Sequence, residues 1–303
     1  MRLPDKMLFI VGAPKCGTTS IGALMDEHPN VCLGKHKEPG FFRTDVSRWQ
    51  DDKRSIPVDD DARPWRFHES SYEANFSHVE NGQWGVDGST DYLCDPEAPQ
   101  RIAEARAGQT TKILIILRDP LERAFSQYRH LLHSGLETET FLDSIRHEDE
   151  RIGQHLQPLF GHARRSRYYE GISRYRTLFR DDVLLVDFRD LSDTQAVLDR
   201  LCAFLSEEPF KPRSLESKNV SSEKGVPGMR RRWRRLHNRL AARPPLKPVA
   251  QMIESHFRRK YANHMRLDDK ASRYFMAKVR DDVELCISDP GIPTDNWACT
   301  RYL

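Results

Sequence analysis

No apolar run in this 303-residue chain approaches the ~20 residues that a membrane-spanning helix needs. There is no CxxC pair and no Cys/His ligand spacing. The six cysteines, Cys16, Cys32, Cys94, Cys202, Cys286 and Cys299, are scattered, which argues against a zinc site. Cys286 and Cys299 are near enough in the chain to pair, but free thiols are the expectation for a reducing compartment. Internal repeats and low-complexity tracts are also missing, and the reading is a single domain over residues 1–303. A dominant charge is absent too: 48 Lys and Arg against 45 Asp and Glu leave +3, so global charge implies no nucleic-acid partner. The amino end, MRLPDKMLFIVGAPK, has a short apolar run that leads into a glycine loop. It reads as a core strand and not a signal peptide, which makes a cytoplasmic protein the default.

What is present is a polar but foldable composition, 31% charged and 38% hydrophobic. Strand and helix patterns alternate. Met7 to Val11 reads as a buried strand, and NVCLG and WGVDGSTDYL as shorter ones. TKILIILRDP carries the strongest strand signal, five consecutive aliphatic residues from Ile113 to Leu117, as suits a parallel strand covered on both faces. PEAPQRIAEARAG, LERAFSQYRHLLHSG, SRYYEGISRYRTLF and DTQAVLDRLCAFL read as helices, with DVLLVDFRDL as a further strand. The expected fold is α/β: a three-layer arrangement like that of P-loop NTPases, its central, mostly parallel sheet flanked by helices. SRWQDDKRSIPVDDDARPWR reads as a surface excursion. Residues 217–245 break the rhythm and read as a late loop across the active site with a basic helix, before a helical tail from about Ala250 to Cys286.

The stretch IVGAPKCGTTS raises a chemical question. Gly12 and Gly17 frame a turn between strand and helix, and backbone N–H groups there form an anion site reinforced by the helix dipole. Thr18, Thr19 and Ser20 add hydroxyls. An ATP-type loop, however, places its lysine directly after the second glycine. Here Thr18 holds that slot and Lys15 sits inside the loop. Strand–turn–helix junctions also carry glycine without binding anything, so the loop alone leaves both readings open. In ILRDPLERAFSQY, Arg118 ends the strongest strand and Ser126 lies two turns along the next helix, a pair suited to a second phosphate. The bland alternative for Arg118 is an ion pair with Asp119 or Glu122.

Together these segments resemble the sulfotransferases that use 3′-phosphoadenosine 5′-phosphosulfate (PAPS), in their heparan-sulfate-type and bacterial branch. APKCGTTS is similar to the family's phosphosulfate-binding loop and RDPLERAFSQY to its 3′-phosphate segment. KEPGFF, GSTDYL and SSEKGVPG follow in the expected order. The resemblance implies that Lys15 touches the phosphate–sulfate bridge oxygen, that Cys16, Gly17, Thr18, Thr19 and Ser20 hold the 5′-phosphate, and that Arg118 and Ser126 hold the 3′-phosphate. It implies PAPS as co-substrate and no metal. Glu38 matches the family's general base, with Lys35, His36 and Lys37 beside it to tune it or bind an anionic acceptor; the alternative is a surface glutamate paired with a lysine. His130 matches a histidine of the N-sulfating members, and Ser222, Lys224 and Gly225 a late loop over the 3′-phosphate; Tyr168 and Tyr169 match residues near the nucleotide, the alternative being tyrosines that pack a helix.

Two departures stand out. Gly40 replaces a histidine, and Gly88 a lysine, of the heparan 3-O-sulfating members, so a catalytic accessory of those members is missing and Asp87, Ser89 or Asp91 is left to serve the acceptor. The expected acceptor is a small molecule, carbohydrate or lipid-linked hydroxyl or amine. Phe76, Trp84 and Trp65 are candidates to stack on adenine or an acceptor ring. The stretch 229–243 puts Met229, Trp233, Leu236 and Leu240 on one stripe among arginines, either a packed helix or a surface for a membrane or acidic acceptor. The competing functions are a P-loop kinase, with Asp187 of LLVDF as its magnesium ligand, and a non-catalytic anion- or lipid-binding protein.

Overall fold

The computed structural model describes residues 1–44, 68–134, 136–153, 160–213 and 265–303. Five strands form one sheet: β1 (Lys6–Gly12), β2 (Val31–Leu33), β3 (Trp84–Asp87), β4 (Thr110–Leu117) and β5 (Val183–Asp187), in the order β2-β3-β1-β4-β5. Every pairing is parallel, so the expected mostly parallel sheet is wholly parallel among the described residues. Helices α1 (Thr18–Met25), α2 (Glu69–Ala74), α3 (Ala98–Ala105), α4 (Pro120–Ser134), α5 (Phe141–Arg146), α6 (Glu148–Gly153), α7 (Tyr169–Phe179), α8 (Thr194–Leu205) and α9 (Asp269–Ser288) flank it. None is long and apolar enough to cross a membrane.

The two centre-most runs explain the layering. Met7 to Val11 of β1 and Ile113 to Leu117 of β4 are essentially inaccessible to solvent. A strand apolar on both faces is stable only when helices cover both, and each such side chain contributes ~1.5–3 kcal/mol on burial. In α4 the residues Leu121, Ala124, Phe125, Tyr128, Leu131 and Leu132 recur at helical spacing and are all buried. Asp119 starts this helix by accepting from Glu122 N–H at 3.0 Å, and Pro120 occupies the first turn, where a missing N–H is harmless. The expected carboxyl-terminal helix runs from Asp269 to Ser288, N-capped by Asp268 through Ala271 N–H at 2.8 Å.

Parallel strands all end at the same edge. Gly12, Asp87, Leu117 and Asp187 therefore bring the loops that follow β1, β3, β4 and β5 together, and the site is built there.

Candidate active site

The loop from Ala13 to Gly17 turns β1 into α1. Gly17 has φ 79°, and a Cβ added there would sit 2.5 Å from Leu191 Cδ1, so both backbone and space demand glycine. Lys15 also adopts positive φ, 70°, an unfavourable setting for a lysine that lifts the chain into a concave turn. Ser20 and Ile21 N–H already donate to Gly17 O. Among the described residues, no group accepts from the amides of Lys15, Cys16, Gly17, Thr18 or Thr19. This is a ring of open donors at a helix start, the arrangement that binds an oxyanion.

Lys15 is half-buried, and its ammonium has no hydrogen-bond or ion-pair partner among the described residues. Burial lowers its pKa, and the charges of Arg118, Lys37, Arg123 and Arg129 lower it further. Cations gathered around an unpaired ammonium favour the binding of an anion there. The cofactor implied by the sequence, with phosphate and sulfate groups, fits this donor set.

Arg118 follows β4 directly. Its guanidinium lies 4.5 Å over the Phe188 ring, and Glu122 pairs with it at 3.2 Å. Glu122 also takes Arg189 at 3.2 Å. The alternative sequence reading of Arg118 as an ion pair is thus present in part: Glu122 is the partner, while Asp119 is buried and spent on Glu122 N–H and Cys299 N–H. Ser126, one turn beyond Glu122, is partly exposed, and its hydroxyl makes no hydrogen bond among the described residues. His130, a further turn on, is exposed; partial burial of its ring, then the Lys15 charge, holds its pKa below the usual value.

Glu38 is 48% exposed and is bound at Oε1 by Lys37 Nζ at 2.6 Å. The paired-glutamate alternative is therefore seen. Yet Lys37 is not a free surface lysine: the same Nζ donates to Thr19 Oγ1 at 2.7 Å. Glu38 is tethered, through Lys37, to the first turn of α1.

Cys16 brings its open amide to the loop, while its thiol is fully buried, with its pKa pushed up to about 12 by burial. Several sequence expectations need correction. Tyr168 is also fully buried, and its hydroxyl donates to Arg118 O at 3.0 Å; it positions the arginine and does not face a nucleotide. Phe76 and Trp84 are core residues, the Trp84 indole donating to Glu207 at 3.0 Å, so neither stacks on a ligand. Asp87 is buried beneath four donors, from Ser89 N–H and Oγ and from the hydroxyls of Tyr72 and Tyr92. Ser89 Oγ in turn accepts from Gly40 N–H, and Asp91 pairs with Arg43 and Arg165. All three candidate acceptor groups are consumed by structure. Cys286 and Cys299 are free thiols. Ser222, Lys224, Gly225, Trp65 and the arginine-rich stretch 229–243 lie outside the described residues.

Sequence reasoning missed Phe188, the platform under Arg118, and Arg123, a fully buried arginine that donates to Ser166 Oγ at 2.6 Å and His162 O at 2.7 Å and fixes α4. Phe188 had a readable signal: it directly follows β5 at the ligand-binding edge of the sheet. Arg123 had none, because a buried arginine is rare enough that an exposed one is the default.

Comparison with known proteins agrees with this geometry. A profile of the sulfotransferase family matches residues 8–212. The structure is similar to that of a sulfotransferase from Alicyclobacillus acidocaldarius, at 29% identity and a TM-score of 0.63, covering 88% of this chain and 98% of that one. The sequence is 27% identical over 165 residues to carbohydrate sulfotransferase 15 of Rattus norvegicus, and 27% over 165 residues to that of Homo sapiens. Each match covers 45% of this chain, and the chain spans only 29% of the length of these relatives. The loop carrying Lys15, the strand end carrying Arg118 and the sheet that joins them all fall within the matched segment, and the chain belongs to the sulfotransferase family.

Proposed function

We propose that the protein is an enzyme that transfers a sulfuryl group from PAPS to a hydroxyl or amine, releasing adenosine 3′,5′-bisphosphate without a metal. The observation that carries this reading is the unpaired Lys15 ammonium held among open loop amides, with Arg118 at the end of the neighbouring strand. The amides of residues 15–19 and the Thr18, Thr19 and Ser20 hydroxyls hold the 5′-phosphate, and Arg118 with Ser126 holds the 3′-phosphate.

PAPS supplies sulfur bonded to a leaving phosphate oxygen. Glu38 accepts the acceptor's proton as the acceptor atom bonds to sulfur, and the S–O bond breaks with its electron pair going to the phosphate oxygen. Lys15 donates to that oxygen as its charge grows, an interaction stronger in the transition state than before it. His130, whose pKa is held below the usual value by partial burial and then by the Lys15 charge, is a second proton acceptor. For the acceptor, the name of the rat and human relatives supports a sugar hydroxyl.

The phosphoryl-transfer alternative depends on Asp187. Its carboxylate is buried, accepts from Arg189 N–H and Asn296 Nδ2, and ends a strand separated from β1 by β4. Thermal unfolding with adenosine 3′,5′-bisphosphate, against ATP with magnesium, separates the readings. A ligand at 100 times its Kd adds ~2.7 kcal/mol of stability, so a metal-free upward shift with the bisphosphate is the expected result. Stabilisation by ATP and magnesium alone would replace the sulfotransferase reading with a kinase.

A further inference from the structure

Gly88, directly after β3, carries no side chain, and the structure shows what fills the space beside it. Gly88 N–H donates to Lys37 O at 3.1 Å, and a Cβ built on Gly88 would lie 3.5 Å from Lys37 Cγ and 3.7 Å from Lys37 Cε. The Lys37 side chain runs across the volume that a residue at 88 would enter. Its ammonium ends between Thr19 Oγ1, at 2.7 Å, and Glu38 Oε1, at 2.6 Å. It is also close enough for its charge to depress the Lys15 pKa. The Lys37 ammonium is thus held on the first turn of α1, in the charge field of Lys15.

We propose that Lys37 is a catalytic residue of the transfer, one that grips the sulfuryl oxygens of the donor while Lys15 serves the leaving oxygen. The inference rests on the sulfotransferase reading above. The geometry supplies two reasons. An ammonium has three donors, and Lys37 uses two, leaving one to aim at a ligand seated on α1. Thr19 and Glu38 also belong to opposite sides of the reaction: Thr19 lies on the donor's cradle and Glu38 is the base for the acceptor. A cation bonded to both lies between the donor's cradle and the base. Lys15 cannot take both tasks, since its backbone is fixed inside the loop on the leaving-group side.

The test compares two nucleotides that differ only in the sulfuryl group. Binding of PAPS and of adenosine 3′,5′-bisphosphate is measured by calorimetry for the full-length wild type and for Lys37→Met. A charge-assisted hydrogen bond to the sulfuryl group is worth about tenfold or more in affinity, so Lys37→Met should weaken PAPS by that factor and leave the bisphosphate within about twofold. Retained bisphosphate binding also shows that the variant is folded. Turnover should fall with it. Equal weakening of both nucleotides would make Lys37 a phosphate or loop residue and overturn the proposal, as would unchanged affinity for both. A wild type that binds neither nucleotide would remove the sulfotransferase reading itself.

Discussion

The hydroxyl of Tyr168 donates to the carbonyl oxygen of Arg118 at 3.0 Å, joining the start of α7 to the end of β4. Tyr168 is fully buried and Arg118 partly so, and removing the donor leaves the carbonyl short of a partner. Tyr168→Phe should cost about 1 kcal/mol in thermal or denaturant unfolding. Affinity for adenosine 3′,5′-bisphosphate should drop several-fold, since Arg118 loses its fixed origin. Weaker binding with unchanged stability would show instead that the hydroxyl meets the ligand.

Lys15→Ala should lower kcat by ~10²–10³, the range for removing one group aimed at developing charge. Binding of the bisphosphate product should weaken far less. Steady-state kinetics beside a binding titration decides the matter: parallel losses would reduce Lys15 to a binding residue.

His130 titrates below its ordinary value because of partial burial first and the Lys15 ammonium second. Its ring signal in an NMR titration should show a midpoint below about 6.5. In Lys15→Ala the midpoint should rise toward that value, because a like charge has gone. The stability sign follows. A folded pKa below the unfolded one means that the unfolded chain binds more protons, so this residue costs stability as pH falls below about 6.5. A midpoint indifferent to Lys15→Ala would place His130 away from the loop.

Burial pushes the Asp87 carboxyl up to about 6, against the opposing pull of its four hydrogen-bond donors. Its contribution to stability is then fully present below the unfolded value near 4 and is lost as pH rises through about 6. In chemical denaturation between pH 4 and 7, this residue should account for a fall of about 3 kcal/mol. Asp87→Asn has no proton to lose there, so the stability gap between variant and wild type should change across that window. A constant gap would mean that Asp87 is ionised throughout.

Much of the fold was legible because its signals are local. The aliphatic run from Ile113 to Leu117 reads as a covered strand without knowledge of its neighbours. Leu121, Phe125, Tyr128 and Leu132 mark the buried face of α4 by spacing alone. The positions of Lys15, Arg118, Ser126 and Glu38 on one edge followed from motif order. What the sequence hid were the partners. Nothing in DGSTDYL reveals that Asp87 is surrounded by Tyr72, Tyr92 and Ser89, because a hydrogen-bond network depends on which loops meet. Tyr168 looked like a ligand contact for the same reason: its residue type was readable, while its neighbour, 50 positions away, was not. The short helices α2, α5 and α6 carry six residues each, too few for a periodic pattern to stand out.

The carboxylate of Asp282, midway along α9, accepts from the backbone N–H of Tyr168 at 2.8 Å and of Tyr169 at 3.1 Å. The family profile's match ends at residue 212, before this helix. Asp282 nevertheless anchors the first turn of α7, which carries the hydroxyl bonded to Arg118. The donor site thus depends on two separated stretches of the chain, the one the family profile matches and the one that follows it. Exchange of the carboxyl-terminal stretch between relatives, natural or engineered, would be felt first at the arginine that grips the nucleotide. A recombination breakpoint placed at residue 212 would preserve Lys15, Glu38, Arg118 and Ser126 and still loosen the site.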